Sequence, residues 1–140
     1  MKNLFLYLLG LMFLSCSSVP EYSLTANFDG LNEGKAYLNK RVGTEWQAVD
    51  SVDVIEGMFM FTGTVDIPNY FYITLEGKRG RLPIFIENSD ITVTGHADTL
   101  YKAKITGSSV QDEYNAYSEE LNKYWEKYGK IQMELIEFVK

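Results

Sequence analysis

The chain has few of the residues that staple small folds or carry redox chemistry. Among 140 residues there is one cysteine, Cys16, one histidine, His96, and three prolines. A single sulfur closes no intramolecular disulfide and makes no C-x-x-C redox pair. Zinc takes three or four His, Cys or carboxylate ligands, and His96 has only Asp98 near it in sequence, so it is read as the exposed end of a strand. Bases are scarce as well: 13 Lys and Arg stand against 19 Asp and Glu, which argues against the clustered positive charge of a nucleic-acid binder. No G-x-x-x-x-G-K-S/T or G-x-G-x-x-G loop is present to cradle phosphate, and Ser108 and Ser109 lack a G-x-S-x-G elbow. The three bases of "EGKRGR" (76–81) fall between two strands; they are a candidate site for an anionic group, with a solvated hairpin tip the favoured reading. No cofactor, metal site or catalytic constellation is expected, and the chain is not read as an enzyme.

No apolar run approaches the ~20 residues that cross ~30 Å of hydrocarbon. "LFLYLLGLMFL" (4–14), preceded by Lys2, has instead the length and flanks of a signal-peptide h-region. Phe13-Leu14-Ser15-Cys16 then resembles the lipobox of bacterial lipoproteins, with Phe13 where Leu is usual and Leu14 bulkier than typical. The resemblance implies that residues 1–15 are a signal peptide and that Cys16 carries lipid. Residues 16–21 become an anchor linker. The expected partner is therefore a membrane, reached through the N-terminal lipid, and the expected location is the cell envelope. Ser17 points to the outer membrane, with the leaflet and face open.

From Tyr22 to Thr106 the pattern is short strands separated by turn residues. Tyr22, Leu24, Ala26 and Phe28 alternate with Ser23, Thr25 and Asn27, the period of a half-buried strand. The same test puts Ala36, Leu38 and Val42 on one face, and Trp46, Ala48, Val52 and Val54 on one face. "GMFMFTGTV" (57–65) is apolar on both sides at Met58 to Phe61, predicting a central strand covered on both faces with Phe59, Phe61 and Val65 inward. Four further inner rows are Phe71, Ile73 and Leu75; Leu82, Ile84 and Ile86; Ile91 and Val93; and Tyr101, Ala103 and Ile105. Pro83 lacks a ladder donor and marks an edge strand. About eight strands at this spacing predict a mainly β fold, an antiparallel β-sandwich, over residues 22–107.

Tyr70 and Tyr72 share the face opposite Phe71 and Ile73. They are a candidate binding surface for glycan or protein, or else the floor beneath a helix. That helix occupies 108–140. Ser108 and Ser109 are candidate N-caps, and Val110, Tyr114, Tyr117, Leu121, Tyr124, Tyr128, Ile131, Leu135 and Phe138 recur at alternating spacings of four and three. Such a seam is either a coiled-coil surface for another chain or the inner face of a helix packed on its own domain; four tyrosines make poor knobs, so the second reading is favoured, with a kink or break near Gly129. The pattern still runs at Lys140, so the segment is read as a linker truncated before a missing domain.

"DSVDVIEGMFMFTGTVDIPNYFYITL" (50–75), "PIFIENSDITVTGH" (83–96) and "KITGSSVQDEYNAY" (104–117) together resemble the domain-of-unknown-function family numbered 4369. Its members show D-S-V, G-x-F-x-F-x-G, F-I-E-N-G-D-I-T-V and I-x-G-S followed by a helix. Here these are Asp50 to Val52; Gly57, Phe59, Phe61 and Gly63; Phe85 to Asn88, with Ser89 in place of the glycine; and Ile105, Gly107 and Ser108. The resemblance implies a β-sandwich at the front of Bacteroidetes envelope lipoproteins, often followed by a thioredoxin-like thiol–disulfide oxidoreductase domain. That second domain, with its C-x-x-C pair, is absent from this sequence. The expected function is a non-catalytic, membrane-anchored module that positions or assists such an oxidoreductase. The alternative is an independent envelope binding module using the tyrosine-bearing face.

Overall fold

The computed structural model describes residues 20–139. Eight strands run in chain order: β1 (Tyr22–Asp29), β2 (Glu33–Val42), β3 (Glu45–Ile55), β4 (Met58–Gly63), β5 (Asn69–Leu75), β6 (Leu82–Ile86), β7 (Asp90–His96) and β8 (Lys104–Thr106). A 3-10 segment, Ala97–Lys102, separates β7 from β8, and a single long helix, α1 (Ser109–Phe138), follows. The strands form one sheet in the order β6-β5-β2-β3-β4-β1-β7-β8.

The mainly β class with a C-terminal helix holds, but the sheet is mixed. β1 pairs with β7 in parallel, from Ser23↔Asp90 to Asp29↔His96, so the expected all-antiparallel arrangement is corrected. Periodicity within a strand reports which face is buried and is blind to the direction of its neighbour. β3 and β4 share only the hairpin pair Ile55↔Met58, and the sheet turns there into two halves of four strands. The result is nearly closed and barrel-like. At the opposite opening, α1 touches both edge strands, β6 and β8.

The turn between β3 and β4 shows why Gly57 stands there. Glu56 (φ 52°) and Gly57 (φ 79°) are both left-handed, as a two-residue hairpin with right-twisted strands requires. A Cβ on Gly57 would also lie 2.6 Å from the Phe28 carbonyl oxygen.

The inner rows read from alternation form the core: Leu24, Ala26, Phe28, Leu38, Phe61, Ile73, Ile84, Ile86, Ile91 and Val93 are almost wholly buried. Each large side chain so buried contributes about 1.5–3 kcal/mol. Phe59 stacks on Phe28 at 6.0 Å and meets Phe61 edge-on at 5.7 Å, which fixes the middle of the core. Pro83 lies on β6, an edge strand, as its missing donor requires.

Several details depart from the expected pattern. Met58 and Met60 are half exposed, so β4 is covered on one face only. Val42 lies at the tip of the β2–β3 hairpin, opposite Glu45, and is exposed because the core does not reach that far. Tyr101 belongs to the 3-10 segment and points to solvent, while Leu100 beside it fills the core.

β3 carries the most consequential departure. Its register shifts between Leu38↔Asp50 and Asn39↔Ala48, which leaves Val49 as an extra residue. One extra residue inverts a strand's facing. Val52 and Val54 therefore stay on the core side, while Trp46 and Ala48 are turned to the outer face, contrary to their shared parity.

α1 is also different from expectation. It runs unbroken through Gly129, and every residue from Glu119 to Val139 is exposed, including Leu121, Tyr124, Tyr128, Ile131, Leu135 and Phe138 of the seam. Only the first turns meet the sheet. The expected docking of the whole seam fails because the helix runs past the sheet: Tyr114 packs on Tyr70 and Phe85, and the seam beyond it has no sheet to cover it.

Candidate functional site

Two arrangements stand out: the joint between sheet and helix, and an aromatic outer face beside it. At the joint, β6 ends in Glu87 and Asn88. The Glu87 carboxylate accepts from Ser109 Oγ (3.0 Å) and from the Val110 N–H (3.3 Å), which places a negative charge at the positive end of α1. Burial by itself raises this carboxyl. The hydrogen bonds from Ser108, Val110 and Ser109 outweigh that and hold it below the ordinary glutamate range.

Ser108 is the N-cap, its Oγ accepting from the Gln111 N–H at 3.1 Å. Gln111 is buried, and its Oε1 accepts from the Phe85 N–H at 2.8 Å. A helix side chain thus takes the place of a missing strand neighbour on edge strand β6, the kind of cover that prevents edge-to-edge pairing. Gly107 turns the chain into the helix at φ 93°, where a Cβ would lie 2.0 Å from the Asp90 carbonyl oxygen. Gly107, a motif position, is therefore part of the joint, while Asn88, another, binds the backbone of Val65 beside it.

The outer face of β2, β3, β5 and β6 carries Tyr70 and Tyr72, as expected from their parity. Tyr70 has the floor role: it lies 4.7 Å from Phe85 and 6.2 Å from Tyr114 of α1, and Phe85 and Tyr114 are 5.2 Å apart. Burial first, and then the neighbouring hydroxyls of Tyr114 and Tyr72, push the Tyr70 hydroxyl well above its ordinary value.

Tyr72 belongs to both arrangements, at 5.0 Å from Tyr70 and edge-on to Trp46 at 4.6 Å. The Arg81 guanidinium sits 4.3 Å above the Trp46 ring, a cation–π contact. A cleft of about 220 Å³ opens here, lined by Asn39, Trp46, Tyr72, Thr74, Gly80 and Arg81. Asn39 Nδ2 donates to Thr74 Oγ1 (3.0 Å) and to the Tyr72 carbonyl (3.3 Å), fixing the polar floor. Among the described residues Arg81 has no carboxylate partner.

Parity assigned Trp46 to the core, and "EGKRGR" was a candidate anion site with a solvated tip favoured, so the sequence did not join the two in this cleft. The extra residue at Val49 brings Trp46 round, and Arg81 folds back from the tip onto it. Cys16 lies outside the described residues.

His96 ends β7 and caps the 3-10 segment, its Nδ1 accepting from the Asp98 N–H at 3.2 Å. Asp98 is held below its ordinary value by Lys78, 2.7 Å away. Among the described residues no group of three or more His, Cys, Asp or Glu is gathered to hold a metal ion. Among the same residues no helix is long and apolar enough to cross a membrane.

A mixed, nearly closed β domain that launches one capped helix is the class of structure these contacts define. The chain belongs to the family described as Domain of unknown function (DUF4369), whose model matches residues 22–114. That span takes in the whole sheet, the joint and the start of α1, ending on Tyr114 of the aromatic cluster. Comparison with curated proteins and with solved structures gives no match.

Proposed function

We propose that this chain is a non-catalytic cell-envelope lipoprotein module, anchored through Cys16, that positions a thioredoxin-like thiol–disulfide oxidoreductase present as a further domain or as a separate protein. The observation that carries this reading is mechanical. The base of α1 is fixed to the sheet by Glu87, Ser108 and Gln111, while the helix beyond Ser118 leaves the domain with its apolar residues exposed. A stiff arm with a defined root suits spacing one body from another better than it suits catalysis. Within the same reading, the two halves of the sheet act as the layers of a sandwich around the core, and the outer membrane is the anchoring surface.

A photo-crosslinker at the exposed Met133, off the helical seam, tests the positioning role in intact cells. Adducts containing a C-x-x-C protein are expected, and adducts that consistently lack one retire the reading. Insulin reduction by the purified chain would overturn its non-catalytic part. A fatty-acid analogue is expected to label the wild type and not Cys16→Ala, and equal labelling removes the anchor.

The cleft favours a second reading, an independent envelope binding module for glycan or protein. Trp46, Tyr72 and Arg81 combine an aromatic surface with an available cation beside amide and hydroxyl groups, the mixture that polar ligands with apolar faces use. Glycan-array binding that disappears in both Trp46→Ala and Arg81→Ala, with Tyr72→Ala weakened, supports it. Binding that survives all three excludes this cleft.

A further inference from the structure

The exposed half of α1 carries a surface that is complementary to itself. Its seam residues repeat at four and three, the interval that keeps one stripe facing a partner helix. Two hollows lie along it. One is bordered by Tyr117, Glu120, Leu121 and Tyr124, with Lys123 and Lys127 also on its rim, and the other by Tyr124, Lys127, Tyr128 and Ile131. Both quartets have the spacing i, i+3, i+4, i+7, the four-residue diamond into which a knob from a facing helix inserts.

The flanking charges choose the occupant and its direction. If two copies of α1 run antiparallel with Leu121 opposite Tyr124 of the second copy, the same register sets Tyr117 against Tyr128, and Ile131 reaches the level where Tyr114 of the second copy already packs on Tyr70 and Phe85. Glu120 then faces Lys127 of the second copy, and Lys127 faces its Glu120, two identical opposite-charge pairs about the twofold axis. A parallel pairing offers only Glu120 with Trp125 and Lys127 with Gln132 across the same flanks. The contact of Glu120 with Lys123 on its own helix, 3.6 Å and exposed, is weak competition. Glu113 against Glu134 at the ends is the one unfavourable pair.

We propose that the protein forms an antiparallel homodimer through α1, with the Tyr117–Ile131 stretch as its centre. This goes beyond the positioning role, which requires an oxidoreductase partner and no second copy. The dimer leaves each β domain at an opposite end of the paired helices.

The test is sedimentation equilibrium of the full chain in density-matched mild detergent, with helicity followed by circular dichroism. The wild type is expected to be a dimer. Glu120→Lys and Lys127→Glu each set like charges together twice and are expected to weaken dimerisation by about tenfold or more while remaining helical. Mixing the two single variants is expected to restore a dimer, because each supplies the charge the other lacks. The double variant restores it as well, and Glu134→Lys tightens it. A wild type that stays monomeric, or single variants that do not complement each other, overturns the proposal. Either result leaves the crosslinking experiment at Met133, which is exposed and off the seam, to decide the oxidoreductase question separately.

Discussion

Asn88 grips the backbone of Val65, 23 residues earlier in the chain, from both sides: the Val65 N–H donates to Oδ1 at 2.9 Å, and Nδ2 donates to the Val65 carbonyl at 2.8 Å. The pair ties the segment after β4 to the end of β6, where no strand ladder does so. Asn88→Ala is expected to cost about 1–3 kcal/mol in urea unfolding, since it leaves a half-buried donor and acceptor without partners. Asn88→Asp is expected to be no better, because a carboxylate cannot donate to the carbonyl it faces.

Gly107→Ala is expected to be the most damaging small substitution in the joint. The new methyl would meet the Asp90 carbonyl oxygen at 2.0 Å, in a left-handed backbone that side chains disfavour. A loss of more than about 3 kcal/mol by chemical denaturation is expected, against less than about 1 kcal/mol for Gly129→Ala on the exposed helix, which has the opposite sign.

Glu87 gives the joint a pH dependence whose sign is set by its lowered pKa. Its stabilising effect is complete above the ordinary glutamate range and is lost as pH falls through the folded-state value. Glu87→Gln is therefore expected to be less stable than the wild type by about 1 kcal/mol at neutral pH, with the difference shrinking below about pH 4. Thermal melts between neutral pH and pH 3 check this. A difference that stays constant across that range would show that the charge is not what matters.

Ser89 offers a change in the other direction. Its hydroxyl is buried and has no hydrogen-bond partner among the described residues. Ser89→Ala removes that group and is expected to be neutral or stabilising by up to about 1 kcal/mol, measured as a shift in the urea midpoint.

Deleting Val49 is expected to undo the facing of Trp46. In a Trp125→Phe background, Arg81→Ala should alter Trp46 fluorescence in the parent and leave it unchanged in the deletion variant. An Arg81 effect of equal size in both would mean that the extra residue does not set the cleft.

The inner rows of β1, β5, β6 and β7 were legible because one side of each strand meets the core and the other does not, and period two records that directly. Ser108 was legible for the same local reason, since a cap acts within one helical turn. The parallel partnership of β1 and β7 is a long-range choice that neither strand's own alternation encodes. Trp46 was misread because an extra residue inside an exposed polar stretch leaves no mark on apolar spacing. The helical seam was recognised as a stripe but assigned to the wrong surface, because periodicity gives a face and not what covers it. The F-I-E-N and I-x-G-S motifs were legible as patterns, yet their meaning depends on contacts across the gap between β6 and α1, Glu87 with Ser109 and Val110 and Phe85 with Gln111.

A helix of thirty residues held only at its base behaves as a pointer. At about 45 Å in length, it converts a 5° change at its root into a sweep of about 4 Å at its far end. Small alterations at Glu87, Gln111 or Asn88 thus have two separable outputs, a modest loss of folding energy and a large angular error. Under the proposed positioning role, the second is the one to which selection would respond, even where the fold survives the change intact.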